Sequence, residues 1–301
     1  MKKKIFNVSL LTFGTMIWGS AFIFQDLGML YVEPLTFNVF RCLACTIFLI
    51  FVSFVLGQIK KKKKIKSTLY KLKDLIIGGL IVGVLTGGAI ATQQIGVSLE
   101  GAGKSGFITS LYIILVPLIG LIFGKKVNPF ILIAILFSLT GLFLINYDGS
   151  GFNFSEGTWW LLGCAILYAL QILAISFYTN KCDSIKLTAM QFFIAGIIEI
   201  PFMFIFESPM LQNILTVLVP ILYCGILSSG IAFTIQVYTQ KNIEPTIASM
   251  IMALESVFAI IFSIIFLGDE YTLKETLGCI AIFVSVIITQ LPIDKLKIRR
   301  K

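Results

Sequence analysis

Residues 246–270, TIASMIMALESVFAIIFSIIFLGDE, form an apolar run with one carboxylate, Glu255, near its middle. About 20 such residues in a helix span the ~30 Å hydrocarbon core of a bilayer, where every backbone N–H and C=O must be paired within the segment. A chain holding that run folds around it as a membrane helix. Glu255 then stands where a charge costs roughly 3 kcal/mol unless it has a partner or faces a wet cavity. It is a candidate functional group, and its alternative role is an interhelical hydrogen bond that fixes packing.

The run is one of ten. Apolar segments lie at roughly 5–25, 35–57, 74–97, 104–123, 128–146, 158–178, 187–207, 213–239, 246–267 and 273–292. Only 13% of residues are charged and mean hydropathy is +0.97, against about a quarter charged in a soluble domain. The fold class is all-α integral membrane, with ten transmembrane helices. Loops between segments are too short to hold a soluble domain. The first segment follows MKKK and lacks a small-x-small cleavage site, which predicts a retained signal anchor.

The net charge of +9 could suggest a nucleic-acid partner, but its distribution argues against one. With the N-terminus inside, 21 of the 24 Lys and Arg fall in inner segments, only Lys104 and Lys274 in outer loops, and Arg41 within a span. That bias predicts a multi-pass protein of the plasma or inner membrane with both termini cytoplasmic. The KKKKKIK tract at 60–66 reads as a topology signal and secondarily as a surface for anionic lipid headgroups. Trp159 and Trp160 are placed as interfacial anchors. His is absent, which disfavours a metal centre or an imidazole proton relay, and no cofactor is implied. Cys42 and Cys45 form a CxxC inside an apolar run, where Cys packs as a small hydrophobe.

An internal repeat organises the chain. GVLTGGAIATQQIGV (83–97) aligns with GILSSGIAFTIQVYT (225–239) at an offset of 142, matching Gly83/Gly225, Leu85/Leu227, Gly88/Gly230 and Gln94/Gln236. Spans one and two align with six and seven at about 150, pairing Trp18 with Tyr168 and Arg41 with Gln191. Spans four and five align with nine and ten at 143–144, pairing Leu111 with Leu254 and Ala134 with Gly278. Two repeats follow, 1–150 and 151–301. Five is odd, so the second repeat must cross the membrane inverted relative to the first. Inverted repeats with a site near the midplane are the architecture of secondary transporters.

WGSAFIF (18–24), Pro34-x-x-Phe37-x-x-x-Arg41, SGFITSLYIILVPLIG (105–120) and ALESVFAIIFSIIFLGDE (253–270) then become informative together. With Gly278, they resemble the EamA-type branch of the drug/metabolite transporter superfamily, over nearly the whole chain. The resemblance implies a ten-helix bundle around a central cavity and transport, commonly efflux, of amino acids or other small metabolites. Two motifs depart from the family: Ser256 replaces the usual Pro after the ninth-span Glu, and the fourth span ends in GKK rather than GE. The first departure puts a local kink beside Glu255 in doubt.

Inward polar groups must supply the affinity for a polar solute, so the intramembrane polar residues are the candidate site. Arg41 could bind a substrate carboxylate in bidentate fashion, or snorkel to headgroups, or pair with Asp26 or Glu33. Glu255 and Glu199 could bind an ammonium group or carry a coupling proton, and Glu199 could instead satisfy backbone freed at Pro201. Gln171 and its fellow glutamines Gln93, Gln94, Gln191 and Gln236 offer uncharged donors and acceptors. The repeat mates Gln94 and Gln236 suit two gates, or packing at about 1 kcal/mol each. Trp18, Tyr112 and Tyr168 could wall the cavity, and Trp18 could face an amine. Tyr112 and Glu255 should approach the midplane from opposite repeats. GAGKS at 101–105 is rejected as a P-loop, since Ser98 stands where Gly is required and a short loop between spans is expected there.

The sequence therefore predicts a non-enzymatic secondary transporter of a small-molecule substrate by alternating access, set in membrane lipid. Trp18, Arg41, Tyr112, Gln171 and Glu255 would bind substrate, and Gln94, Glu199 and Gln236 would gate or couple. Proton coupling and homodimers through small-residue stripes are open. Alternatives are an exporter of amphipathic or cationic drugs and, more remotely, an intramembrane enzyme or a non-transporting membrane subunit.

Overall fold

The structure is a computed structural model that describes residues 2–64, 70–122, 124, 129–146, 155–268 and 272–290. The basic C-terminal segment, Lys66, Lys125, Lys126, Asp269 and Glu270 lie outside the described residues. Among those described, the ordered elements are all helical. The chain runs through α1 (Lys2–Met29), α2 (Pro34–Lys62), α3 (Leu72–Thr109), α4 (Tyr112–Ile122), α5 (Pro129–Asn146), α6 (Glu156–Tyr178) and α7 (Ser184–Phe206). Short α8 (Leu211–Thr216) and α9 (Leu218–Leu222) lead into a π-helical segment, Tyr223–Ala232. Then come α10 (Phe233–Thr239), α11 (Pro245–Met252), α12 (Leu254–Leu267) and α13 (Leu273–Gln290).

Helix starts follow local chemistry. Pro34 and Pro245 open α2 and α11, where the missing N–H costs nothing. Asp183 accepts the Ile185 and Lys186 N–H groups at the start of α7, and Ser155 caps α6. Gly268 ends α12 in the left-handed region, at φ 73°.

The distribution of polarity is that of a membrane protein. Phe51, Phe54, Ile47, Ile205 and Phe206 face outward, whereas Asn38, Thr86, Gln94, Gln171 and Gln191 are buried. Such a wide apolar exterior would not stay monomeric in water. Among the described residues, seven helical stretches, two of them joined from shorter elements, are long and apolar enough to cross a membrane: Lys3–Met29, Pro34–Lys62, Leu72–Glu100, Glu156–Tyr178, Ser184–Phe206, Leu218–Thr239 and Pro245–Phe266. The other three expected segments form the shorter α4 and α5, and α13.

Three features differ from expectation. Helical backbone continues through 101–109, so the GAGKS segment lies within α3 rather than in a loop; the small residues there still let the backbone hydrogen bonds run on. The eighth expected span is not one regular helix, because it contains ten π-helical residues. Finally, the chain breaks at Ser110–Leu111 and again at Ala253. At both breaks the hydrogen bonds shorten to i→i+3, with Ile113 N–H bonded to Ser110 O and Ser256 N–H to Ala253 O. The second break exists without the family's proline.

Packing brings α3 against α6 and α7, α2 against α7 and the π segment, α1 against α12, and α5 against α13. Two repeat-related glycines permit close crossings. A Cβ on Gly83 would meet Gln191 O at 2.9 Å, and one on Gly225 would meet Arg41 O at 2.9 Å. At one end α2 and α7 are tied together. The Glu207 carboxylate, just past α7, accepts the Leu35 N–H (2.7 Å), Thr36 N–H (2.6 Å) and Thr36 hydroxyl (2.7 Å), while Glu33 accepts the Ser208 N–H. An anion at a helix N-terminus gains from both the free N–H groups and the dipole. Glu207→Ala is expected to destabilise the bundle by about 2 kcal/mol, read as a lower unfolding midpoint in detergent, with Glu207→Gln intermediate. An unchanged midpoint in Glu207→Ala would show that the tie contributes nothing.

Candidate functional site

Trp18, Phe22 and Gln25 recur on α1 at i, i+4 and i+7, which stacks them along one helix face. All three line an internal cavity of about 40 Å³. Arg41 from α2, Gln93 from α3, Tyr112 from α4 and Tyr168 from α6 close one part of its wall. Ser228 of the π segment, Phe233 and Gln236 of α10, Met252 and Glu255 close the rest.

The Arg41 side chain is buried, which removes the snorkelling reading, and Asp26 is exposed. Its Nε donates to Ser229 Oγ (2.7 Å), Nη2 to Ser228 Oγ (3.3 Å) and Nη1 to Gln25 Oε1 (3.5 Å). All three partners are neutral. In an α-helix consecutive side chains point ~100° apart. The wider π turn, with its i→i+5 bonding, lets both Ser228 and Ser229 reach one guanidinium. The same segment turns the Ser228 carbonyl toward Trp18, whose indole N–H donates to it at 3.3 Å. Phe233 meets the Trp18 ring edge-on, with centroids 5.1 Å apart.

Across the cavity, the break at Ala253 puts Glu255 in the first turn of α12, and the break at Ser110–Leu111 makes Tyr112 the first residue of α4. The Tyr112 hydroxyl donates to Glu255 Oε1 at 3.3 Å. Beside them, the Tyr168 hydroxyl donates to Gln93 Oε1 at 3.2 Å, and the two tyrosine rings meet edge-on.

Of the residues singled out from sequence, Trp18, Arg41, Gln93, Tyr112, Tyr168, Gln236 and Glu255 come together on this cavity. Gln171 stands behind it and accepts from Gln236 Nε2 at 3.2 Å. Gln94 is buried away from the lining, and its neighbour Gln93 lines the wall instead. Glu199 is also buried off the cavity, and neither of its carboxylate oxygens has a hydrogen-bond partner among the described residues. It therefore does not satisfy backbone near Pro201. Phe22, Gln25, Phe233 and Met252 were not foreseen. The i, i+4, i+7 spacing from Trp18 was the available signal for Phe22 and Gln25, and the i, i+3 spacing to Gln236 and Glu255 was the signal for Phe233 and Met252.

Chemically the cavity offers a cation and a carboxyl group, neither hydrogen-bonded to an opposite charge, between aromatic walls. Gln236 Oε1 and Gln171 Nε2 are buried without partners. Such groups are rare in folded proteins and want a polar ligand or water. About 40 Å³ holds a few waters, each needing ~10–15 Å³, and falls far short of the ~300 Å³ of a small-molecule site. The cavity is narrow around its polar groups.

The Ser228→Ala/Ser229→Ala double variant leaves the guanidinium with Gln25 alone and is expected to lose about 3 kcal/mol of stability in detergent. Adding Arg41→Met should restore part of that loss, because the unpaired charge goes with it. A double variant as stable as the parent would mean that the serines do not hold the guanidinium.

Among solved structures, one crystal structure superposes with a TM-score of 0.77 at 15% identity, covering 97% of this chain and 99% of that one, which establishes a shared fold. An uncharacterized transporter of Archaeoglobus fulgidus is 27% identical over 277 residues, 92% of this chain and 83% of that protein. The uncharacterized transporter YoaV of Bacillus subtilis is 23% identical over 292 residues, 94% and 96% of the two chains. The EamA-like transporter family matches twice, at residues 6–147 and 155–291. The chain belongs to the EamA-like transporter family.

Proposed function

We propose that this membrane transporter moves amino acids or closely related zwitterions out of the cell by alternating access, without covalent chemistry. One observation carries the substrate class: Arg41 and Glu255 line the same narrow cavity, and among the described residues each is hydrogen-bonded only to neutral groups. A zwitterion supplies both missing charges. Its carboxylate would pair with the guanidinium, displacing the weaker Ser228 and Gln25 contacts, and its ammonium would pair with Glu255. Trp18, Tyr168 and Phe233 would take an apolar side chain. Export is the direction implied by the family likeness.

The mechanism we assign rests on two inverted five-helix repeats, 1–150 and 151–301, in a plasma or inner membrane with both termini cytoplasmic. Several contacts support a two-fold relation. Gly83 packs on Gln191 O and its mate Gly225 on Arg41 O, and Gln191 and Arg41 are themselves mates. The helix breaks at Ser110–Leu111 and Ala253 fall at matching positions 143 apart, and the aligned Tyr112 and Glu255 touch. The two separate family matches agree. Paired discontinuous helices facing a central site are the hallmark of rocking transporters. In this scheme Glu255 carries the coupling proton when no ammonium occupies it, Glu199 is the second coupling candidate, and Gln94 and Gln236 serve the two gates.

The test is flux in proteoliposomes of labelled amino acids, amines and organic acids, with and without a pH gradient. Zwitterions are expected to move, gradient-accelerated, and Glu255→Gln to abolish the acceleration while inserting normally. Arg41→Gln should raise KM for carboxylate-bearing substrates about tenfold or more. The aromatic wall beside Glu255 also suits an amphipathic cation. Transport of amines lacking a carboxylate, unaffected by Arg41→Gln, would establish that reading and reject ours.

A further inference from the structure

A second, much larger hollow of about 1540 Å³ lies at the opposite end of α2 and α7 from the Glu207 tie. The two helices touch where Gly196 faces Cys42 and are bridged again at Glu33 and Glu207. Beyond Thr46 on α2 and Ala189 on α7 they separate, and the hollow fills the fork. It shares no lining residue with the smaller cavity, though α10 forms a wall of both.

Its chemistry is graded along its length. Five lysines stand at the mouth, Lys60, Lys61, Lys71, Lys186 and Lys241, against one carboxylate, Asp183. That carboxylate is already engaged by the N–H groups of Ile185 and Lys186. Deeper in, the walls are Ile50, Phe54, Phe193 and Ile235. Ile50, Phe54 and Phe193 are also among the exposed apolar residues of the exterior, so the groove is continuous with the surface that meets acyl chains. A path for a hydrophilic solute would not be built from that surface. At the wall, Ser184 is 7% exposed and its hydroxyl has no hydrogen-bond partner, and the Thr234 hydroxyl likewise has none. The volume exceeds the ~300–1000 Å³ of ordinary small-molecule sites.

We propose that this fork binds one anionic phospholipid, its phosphate held by Lys60, Lys61, Lys186, Lys241 and Ser184 and its chains laid along Ile50, Phe54 and Phe193. Net positive charge over an apolar trough complements that molecule and no neutral lipid. The site depends on geometry alone, so it stands whether or not the proposed substrate is right. Occupancy would press on α10, the wall shared with the cavity.

The full chain, purified in detergent, is titrated with phosphatidylglycerol, phosphatidylcholine or inorganic phosphate and read by native mass spectrometry and thermal unfolding. Phosphatidylglycerol is expected to bind saturably with one site and raise the midpoint, and phosphatidylcholine to do neither. Lys186→Gln/Lys241→Gln should weaken phosphatidylglycerol about tenfold, while the charge-matched Lys3→Gln/Lys4→Gln, on exposed residues that do not line the groove, keeps parental affinity. Ile50→Trp, which fills the trough and keeps every charge, should also lose the lipid, so the result does not hang on one variant. Equal binding of the two lipids, or equal losses in both lysine pairs, would overturn the site. Inorganic phosphate reproducing the shift would make it a soluble-anion site instead and overturn the lipid assignment.

Discussion

A guanidinium buried in a membrane bundle must have its donors taken up, and at Arg41 no carboxylate among the described residues does so. That requirement reaches into three elements. It draws Gln25 on α1 inward, it needs two consecutive serines, and it needs the helix carrying them to be wound so that both face α2. The π segment meets the last demand, and Gly225 lets it sit against the Arg41 carbonyl. Neutral partners hold the charge without neutralising it, leaving an electrostatic demand that a ligand can answer. Replacing one serine by glutamate would satisfy the guanidinium better and leave a ligand nothing to pair with.

On the opposite wall the constraint is directional. A continuous helix through Ala253 would bury the N–H groups near Glu255 in its own hydrogen bonds. The break opens a new helix start there, so the carboxyl group lies at the positive end of α12 and beside the Tyr112 hydroxyl. Ser110–Leu111 does the same for α4. Proline is the usual way to make such a break in a membrane helix, but small residues with i→i+3 bonding suffice here. The cost is a weaker backbone ladder at two points in the core.

Much of this was legible in the residues, and the parts that were not have physical reasons. Apolar run length and lysine placement reveal a membrane protein, because the bilayer imposes a length and a polarity that side chains must match. Trp18, Arg41, Tyr112 and Glu255 stood out because polar or bulky groups inside spans are expensive. Gln93 against Gln94 was not separable: adjacent residues differ by one helical step, and only the azimuth of α3 on α6 decides which faces inward. The π segment was equally hidden, since YCGILSSGIA carries no proline and reads as an ordinary small-residue helix. The helical run through 101–109 was misread as a loop for the converse reason, because glycine weakens a helix without forbidding it.

The two ends of the α2–α7 pair are chemically unequal, and that inequality matters for any rocking mechanism. At one end Glu207 and Glu33 lock each helix to the other's terminus with charge-assisted hydrogen bonds. At the other the same helices stand apart, with lysines of both helices and apolar walls lining the gap. If two inverted repeats shared identical end chemistry, neither end would be favoured closed. In the proposed rocking scheme the carboxylate tie would favour its own end closed. A substrate bridging Arg41 of α2 and Glu255 of α12 would couple to that bias, because it would join the helix that carries the lock to the helix pair that carries the break.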